Sequence, residues 1–487
     1  MIEKESETAI TTNEKMKYSL VTAEEALKEI TKTAKEMNEI LGLPSTTLVR
    51  LILNHFHWDK NTLTEEYYEN PEKLFCTLNV ANPYLSPSLQ WNPLSPAIGP
   101  STNPVLNTTE QPTTAGNAVC RTCYSEKSIA EFYSLPCRHQ HCLSCWQIYL
   151  QSSIYQTGCG QPVHCPSRCI QIIDDEQILK LLANNPDLQE RYKKHLVDGF
   201  VQTNRLTRWC PGNGCTMIVK MKTYSPKCAQ MIECDKCSSV FCFQCSKQWH
   251  DPVLCSVLQK WEQKNQDESM NGKWIIANTK ECPKCHSSIE KNGGCNHMTC
   301  RKPGCGHEFC WLCFGNWNGH QQCNVYRQEE IEKNQSEARE ALARYMHYYT
   351  RYQSHNQSLE FEEKLSDQVK QRVQEMQAEG MTYTQQQSVQ KVFAVLQQCR
   401  RTLKYTYPFA YYLERNNQSE IFEQNQADLE RATETLSEFL EKEITADPDA
   451  IVALMNKTSY CDQRRRILLD HCKDGYSKNY WDGIDPN

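Results

Sequence analysis

Two things are missing from this chain of 487 residues, and each absence removes a class of function. The first twenty residues, MIEKESETAITTNEKMKYSL, hold no apolar core of the kind an export signal needs, and no later stretch approaches a membrane-spanning run. A membrane is therefore not an expected partner, and the cytoplasm or nucleus is the expected location. Long blocks of Lys and Arg are missing too. The 53 basic residues against 59 acidic ones leave a net charge of -6, and the densest basic run, DQRRRILL, reads as a solvated helix face. Backbone binding to nucleic acid needs clustered positive charge, so no nucleic acid is expected either.

Cysteine, by contrast, is abundant. There are 28, and in a reducing compartment a disulfide framework does not explain them, which leaves metal ligands or reactive thiols. With 39% hydrophobic and 23% charged residues the chain reads as packed, and its length suggests several domains. Near the N-terminus, TAEEALKEI places Thr22 at a helix N-cap with Glu25 three residues on, and STTLVRLILNHFHW follows Pro44, so a small helical bundle is predicted over residues 20–80. Residues 81–117 are rich in Pro, Ser, Thr and Asn and read as a linker. From residue 325 onward the apolar spacing is helical, as in Leu365, Val369, Val373, Met376 and again in Leu429, Ala432, Leu436, Phe439.

Between these lie three clusters of eight cysteines each, at 120–169, 210–255 and 282–323. The repetition marks three similar modules. Structural zinc takes four Cys or His ligands in a tetrahedron, and a CxxC turn puts two sulfurs on one ion. The first cluster offers Cys120, Cys123, Cys137, His139, Cys142, Cys145, Cys165 and Cys169. The second offers Cys210, Cys215, Cys234, Cys237, Cys242, Cys245, His250 and Cys255. The third offers Cys282, Cys285, Cys300, Cys305, Cys310, Cys313, His320 and Cys323. Those 24 ligands fill about six structural zinc ions.

One cysteine per cluster is left over: Cys159, Cys228 and Cys295. Cys159 and Cys228 read as small thiols near a site. Cys295 differs, because it follows Gly293 and Gly294, where absent side chains admit another molecule, and His297 two residues on is a candidate base. Spacing alone leaves a rival open, in which Cys295 and Cys300 join Cys282 and Cys285 on one zinc and Cys305 does something else.

The strings WCPGNGC, FCFQCSKQWHDPVLC, ECPKCHSSIEKNGGCNHMTC and EFCWLCFGNW resemble those of the RING-in-between-RING (RBR) ubiquitin ligases, Ariadne branch. The resemblance extends to TAEEAL and HFHWDK, similar to the family's ubiquitin-associated-like domain, and to QSLEFEEKL, YTYPFAYYL and NQADLERATE, similar to its Ariadne domain. It implies a multidomain fold, mainly α with small zinc-stabilised α/β modules. The order is a disordered N-terminus (1–19), a ubiquitin-associated-like helical domain (20–80), the linker (81–117), a first RING (118–172) and a helical connector (173–205). An in-between-RING (206–258), a second linker (259–279), a catalytic RING-like module (280–324) and an Ariadne helical domain (325–487) follow.

The implied activity is acyl transfer in two steps. A ubiquitin-conjugating enzyme docks on the first RING, ubiquitin passes to a cysteine of the last zinc module, and a substrate lysine then takes it. By resemblance that cysteine is Cys295, His297 is the adjacent histidine, and Cys300 and Cys305 are ligands. Zinc pairing is implied to interleave in the first RING and to run in sequential fours afterwards. Phe361, Glu362 and Glu434 match positions with which the C-terminal helices cover the catalytic module, and neddylated cullin-RING ligases are the implied activating partner.

The chemistry stands without the analogy, since a thiolate both attacks and leaves well and an imidazole can take the proton of an attacking ammonium. Saturated four-ligand sites leave zinc structural. Three features depart from the family pattern: Thr122 in CRTC replaces an apolar residue, CPSRC is one residue short, and only two residues separate His320 from Cys323. Ile170 after Cys169, in place of a basic residue, suits a RING that hands ubiquitin to a cysteine. A RING adaptor without its own catalytic cysteine and a zinc-finger nucleic-acid binder are the competing readings.

Overall fold

The computed structural model describes residues 17–84, 116–156, 158, 160–223, 230–272, 279–291, 295–320, 323–325, 337–378, 383–441 and 448–484. Cys159, Cys228, Gly293, Gly294 and most of the expected linker 81–117 lie outside them. The chain forms two compact units, residues 1–228 with 233–239, and residues 229–232 with 240–487.

The first unit opens with strand β1 (Tyr18–Val21) and helices α1 (Ala23–Leu41), α2 (Thr46–His55), α3 (Lys60–Glu69) and α4 (Pro71–Thr77). The Thr22–Glu25 capping box is fully formed, Asp59 caps α3 and Asn70 caps α4, so each start satisfies backbone N–H groups that would otherwise be orphaned. Val49, Ile52, Leu53, Leu63 and Phe75 close the bundle core. The other face of α1 packs Ala26 and Ile30 on Val197, Phe200 and Ile218.

The first zinc module follows with β2 (Asn117–Val119), β3 (Glu126–Ser128), β4 (Phe132–Tyr133), β5 (His141–Cys142) and α5 (Leu143–Gln156), then α6 (Asp175–Leu181), α7 (Pro186–Thr203), β6 (Thr207–Trp209) and β7 (Ile218–Met221). β1 and β6 flank β7 antiparallel, with Tyr18 opposite Met221 and Thr207 opposite Lys220. Tyr18 and Ser19 therefore correct the expectation of a disordered stretch to residue 19. YSLV is a β-prone string, and the free edge of β7 gives it a ladder to complete.

Arg50 of α2, 3% exposed, ties the bundle to α6 through paired bonds of 2.7 and 3.0 Å to the Asp175 carboxylate. Tyr192 donates to the same carboxylate at 2.7 Å. The anomalous Thr122 has a place as well. Its hydroxyl bonds His141 Nδ1 at 2.8 Å, and His141 Nε2 bonds Ser167 at 3.0 Å, inside the first zinc module.

The second unit carries β8 (Met231–Glu233, its first two residues), β9 (Val240–Cys242), α8 (Cys255–Gly272), and the hairpins β10 (Thr279–Glu281) with β11 (Ser288–Glu290) and β12 (His297–Thr299) with β13 (Glu308–Cys310). Four long helices complete it: α9 (Glu337–Ala378), α10 (Tyr383–Tyr412), α11 (Asn417–Glu441) and α12 (Pro448–Lys478). Most of the expected linker 259–279 is the body of α8. It is helical because Val257, Leu258 and Trp261 bury one face in the core of the C-terminal helices, with Trp261 fully enclosed beside Tyr345 and Tyr411.

Candidate active site and metal centres

Five tetrads of ligand atoms converge within 4.8 Å: Cys120, Cys123, Cys142, Cys145; Cys137, His139, Cys165, Cys169; Cys210, Cys215, Cys234, Cys237; Cys242, Cys245, His250, Cys255; and Cys282, Cys285, Cys300, Cys305. Contacts also join Cys310, Cys313, His320 and Cys323. The first module interleaves its pairs and the others use sequential fours. A tetrahedron with Zn–S bonds near 2.3 Å has an edge of about 3.8 Å. The sulfur pairs Cys123–Cys142, Cys215–Cys234 and Cys282–Cys305 stand 3.9, 3.8 and 3.8 Å apart, so the donors are already spaced for that ion. The donor set, thiols with single imidazoles and no open carboxylate position, is that of structural zinc.

The short Cys165–Cys169 spacing closes by a turn at Arg168, which sits at φ 57° with its N–H bonding the Cys165 carbonyl. Residues 321 and 322, between His320 and Cys323, lie outside the described residues. His250 holds its ring with Nδ1 on the Val253 carbonyl at 2.6 Å, which leaves Nε2 turned to Cys245 and Cys255.

The fifth tetrad takes Cys300 and Cys305 and not Cys295, which disposes of the rival grouping. Cys295 precedes β12 and is 4% exposed. Its thiol faces the Glu434 carbonyl oxygen at 3.8 Å, and the His297 N–H donates to the sulfur at 3.3 Å. Burial, and then the negative charge of Glu434, push the Cys295 thiol well above the ordinary cysteine value.

Glu434 comes from α11. Its carboxylate accepts from the Asn296 backbone N–H at 2.6 Å and from Asn296 Nδ2 at 2.8 Å. Arg400 of α10 donates to the same carboxylate at 2.5 Å and to Glu362 of α9 at 2.8 Å. Burial opposes charge on Glu434, but Arg400, Lys291 and the Asn296 N–H overcome it and hold the carboxyl down to about 2. Lys291 is buried, and its ammonium donates to Asn296 Oδ1 at 2.9 Å, Ser358 at 3.1 Å and Ser354 at 3.3 Å. Burial brings this lysine down to about 8 against the pull of Glu434. Two cations and two carboxylates thus meet in one dry cluster beside the sulfur.

Of the residues expected to cover the module, Glu434 and Glu362 are in this cluster and Phe361 is half-buried on α9 next to Glu362. The ring of His297 stacks on Trp317, centroids 4.3 Å apart and planes 6° from parallel. Its Nε2 lies 3.4 Å from Glu308 and its Nδ1 3.7 Å from Glu438. Lys291, Asn296, Glu308, Trp317, Arg400 and Glu438 escaped the reading of the sequence. Each is an ordinary surface-type or helix residue in its own string and acquires a role only from partners brought in by the fold.

Comparison with known proteins gives matching family profiles in four segments. An Ariadne domain spans 343–459, an IBR domain 277–325, an IBR domain described as a half RING-finger spans 190–255, and the UBA-like domain of E3 ubiquitin-protein ligase ARIH1 spans 28–69. Human E3 ubiquitin-protein ligase ARIH1 is 41% identical over 483 residues, 97% of this chain and 83% of that protein. E3 ubiquitin-protein ligase ariadne-1 of Drosophila melanogaster is 40% identical over 475 residues, 96% and 90% of the two chains. A solved structure, Pediculus humanus Parkin bound to phospho-ubiquitin, aligns with 41% of this chain and 64% of that one at 26% identity, with a TM-score of 0.21 that adds nothing to the assignment. On the extent and identity of these matches, the chain belongs to the Ariadne family of RING-in-between-RING E3 ubiquitin-protein ligases.

Proposed function

We propose that Cys295 receives ubiquitin as a thioester from a charged conjugating enzyme docked on residues 118–172, and passes it to a lysine of a protein substrate. The carrying observation is the division of labour in the third cysteine cluster. Cys282, Cys285, Cys300 and Cys305 share one tetrad, and the thiol of Cys295 stands apart from it under a buried carboxylate. A sulfur suits the role because the thiolate is both a strong nucleophile and a good leaving group, whereas a serine would form a stabler ester and stall. His297 takes the proton of the attacking amine, which contributes about 100- to 10,000-fold, its ring oriented by stacking on Trp317 with Glu308 3.4 Å from Nε2. The zinc ions supply no step. They hold the small modules folded.

The C-terminal helices act as an autoinhibitory cover. Glu434 and Glu362, clamped by Arg400, and Phe361 beside them seal the sulfur until the helices move. Release comes from a partner bound to the ubiquitin-associated-like bundle, the neddylated cullin-RING ligase that the family resemblance implies. The domain limits set out above, with β1 beginning at Tyr18 and the helix Cys255–Gly272 in place of most of the second linker, and a cytoplasmic or nuclear location complete the reading. The test is the Cys295→Ser variant mixed with thioester-charged conjugating enzyme and opened by Glu434→Ala. A hydroxide-labile, thiol-stable ubiquitin adduct at residue 295 is expected. No adduct, or an adduct on another residue, rejects the assignment.

A further inference from the structure

The cover itself reports on the reaction. Two N–H donors converge on one anion next to the nucleophilic sulfur: the backbone N–H of Asn296, the residue after Cys295, and Nδ2 of its side chain. The orientation of that amide is fixed by chemistry. Lys291 Nζ and Ser354 Oγ donate to Asn296 Oδ1 at 2.9 and 3.0 Å, and an ammonium has no lone pair to accept with, so Nδ2 must face the carboxylate. The Asn296 carbonyl is in turn held by the Trp311 N–H at 2.8 Å, which anchors the peptide from the zinc-module side. All these restraints except Ser354 come from the module that carries Cys295, so they persist when the helices are gone.

We propose that Asn296 is a catalytic residue, an oxyanion site that Glu434 occupies in the covered enzyme and that the thioester carbonyl oxygen occupies during transfer. This inference rests on Cys295 being the acceptor of ubiquitin. The Cys295 thiolate attacks the thioester carbonyl carbon, a C–S bond forms, and the carbonyl electron pair moves onto oxygen under the two N–H groups. Collapse returns that pair, breaks the older C–S bond and expels the conjugating enzyme's cysteine as thiolate. In the second transfer the substrate amine attacks, its proton passes to His297, the same oxygen carries the charge, and Cys295 leaves as thiolate. Lys291 acts through Asn296 and is a positioning residue. Preorganised donors of this kind stabilise charge where it develops.

The experiment uses the full chain with Glu434→Ala to remove the cover, and compares it with the same chain carrying Asn296→Ala or the isosteric Asn296→Asp. Two rates are read: single-turnover ubiquitin transfer onto Cys295 from a thioester-charged conjugating enzyme, and alkylation of Cys295 by iodoacetamide, a displacement that develops no oxyanion. Zinc content checks that each variant is folded. Loss of one donor is expected to slow transfer by about 100- to 1,000-fold while alkylation holds. Lys291→Met slows transfer in the same assay and adds nothing on top of Asn296→Ala, as expected of two groups acting as one unit.

A residue that merely docks the cover behaves oppositely, since Asn296→Ala would then leave the uncovered enzyme as fast as Glu434→Ala alone. That result overturns the proposal, as does a parallel fall in alkylation, which would place the effect on the thiol. If the Glu434→Ala chain itself forms no adduct at Cys295, the acceptor reading falls and takes this inference with it. Normal adduct formation with undiminished rate in the Asn296 variants removes this inference alone.

Discussion

If the C-terminal helices are the proposed cover, replacing Glu434 with alanine removes the anion that holds α11 to Asn296 beside Cys295. Two of its hydrogen bonds cross from the helix to the module, both to Asn296, at 2.6 and 2.8 Å. Hydrogen bonds to an ionised partner contribute roughly 1.5 to 3 kcal/mol each, so the pair is worth about 3 kcal/mol at the low end. The truncation also leaves the Arg400 guanidinium, fully enclosed, with one carboxylate in place of two while the cover is shut. A loss of about 3 kcal/mol moves the balance of covered and uncovered forms by roughly 100-fold.

The assay is alkylation of Cys295 by iodoacetamide at a fixed pH near neutrality, followed by mass spectrometry of the peptide carrying residue 295. The covered sulfur is buried, and burial and Glu434 hold it in the thiol form, so only the uncovered fraction reacts. The rate should therefore rise with that fraction, by roughly 100-fold, up to the ceiling set by a fully exposed thiol. Equal rates in the two proteins would refute the reasoning. So would a rise accompanied by loss of zinc, which would mean that the module had unfolded.

Metal analysis of the native chain should return about six zinc ions, by the 24 ligands divided by four, and a value near four would mean that one module is misread. In the Glu434→Ala background, His297→Ala should leave charging of Cys295 intact and slow discharge to free lysine by at least about 100-fold, read as decay of the thioester on a non-reducing gel. Trp261→Ala should destabilise the second unit by about 3 to 5 kcal/mol, seen as a lower denaturation midpoint, because the indole is wholly enclosed among Tyr345, Tyr352 and Tyr411. Burial, reinforced by Arg351, lowers His347 to about 4, so the unfolded chain binds the extra proton first. Stability tied to His347 is thus present above about pH 6.5 and lost as pH falls toward 4, and the stability difference between native and His347→Gln proteins should shrink over that window.

The zinc ligands were legible because ligation imposes short, local spacings, and the short Cys165–Cys169 spacing is absorbed by one residue, Arg168, with positive φ. Cys295 was legible as the thiol left over, and Thr22 with Glu25 because a capping box is a four-residue signal. What the sequence hid is of long range. Arg400 meets Glu434 across 34 residues, Asn296 meets Glu434 across 138, and Arg50 meets Asp175 across 125. No period or motif links such pairs. The body of α8 was read as a linker because its polar residues dominate the string, while its helix is secured by Val257, Leu258 and Trp261 packing into a core encoded almost a hundred residues later. Glu308 and Trp317 were hidden for a related reason, since each lies among zinc ligands and looks like filler until the β12–β13 hairpin brings His297 alongside.

On the proposed reading, in which the C-terminal helices cover Cys295 and Asn296 holds the oxyanion, a carboxylate suits what the cover must seal. An apolar plug over Cys295 would leave the Asn296 N–H and amide without acceptors, at a cost of about 1 to 3 kcal/mol for each buried donor. A site built to hold a developing oxyanion is therefore sealed best by another anion, and an anion in a dry interface needs counter-charge. Arg400 supplies it from the helical side and Lys291 from the module side. The two cations differ in what becomes of them on opening. Arg400 stays with Glu362 and Glu434 on the departing helices, where its pairs are intact, so little electrostatic energy is stranded there. Lys291 stays behind with Asn296, its bond to Oδ1 lying wholly within the module, and gives up its bonds to Ser354 and Ser358 of α9. On the proposed reading, uncovering exchanges the two hydrogen bonds on Glu434 and those joining Ser354 and Ser358 to Lys291 and Asn296 for water and then for substrate, while the Arg400 pairs on the helices survive, so a tight seal stays reversible.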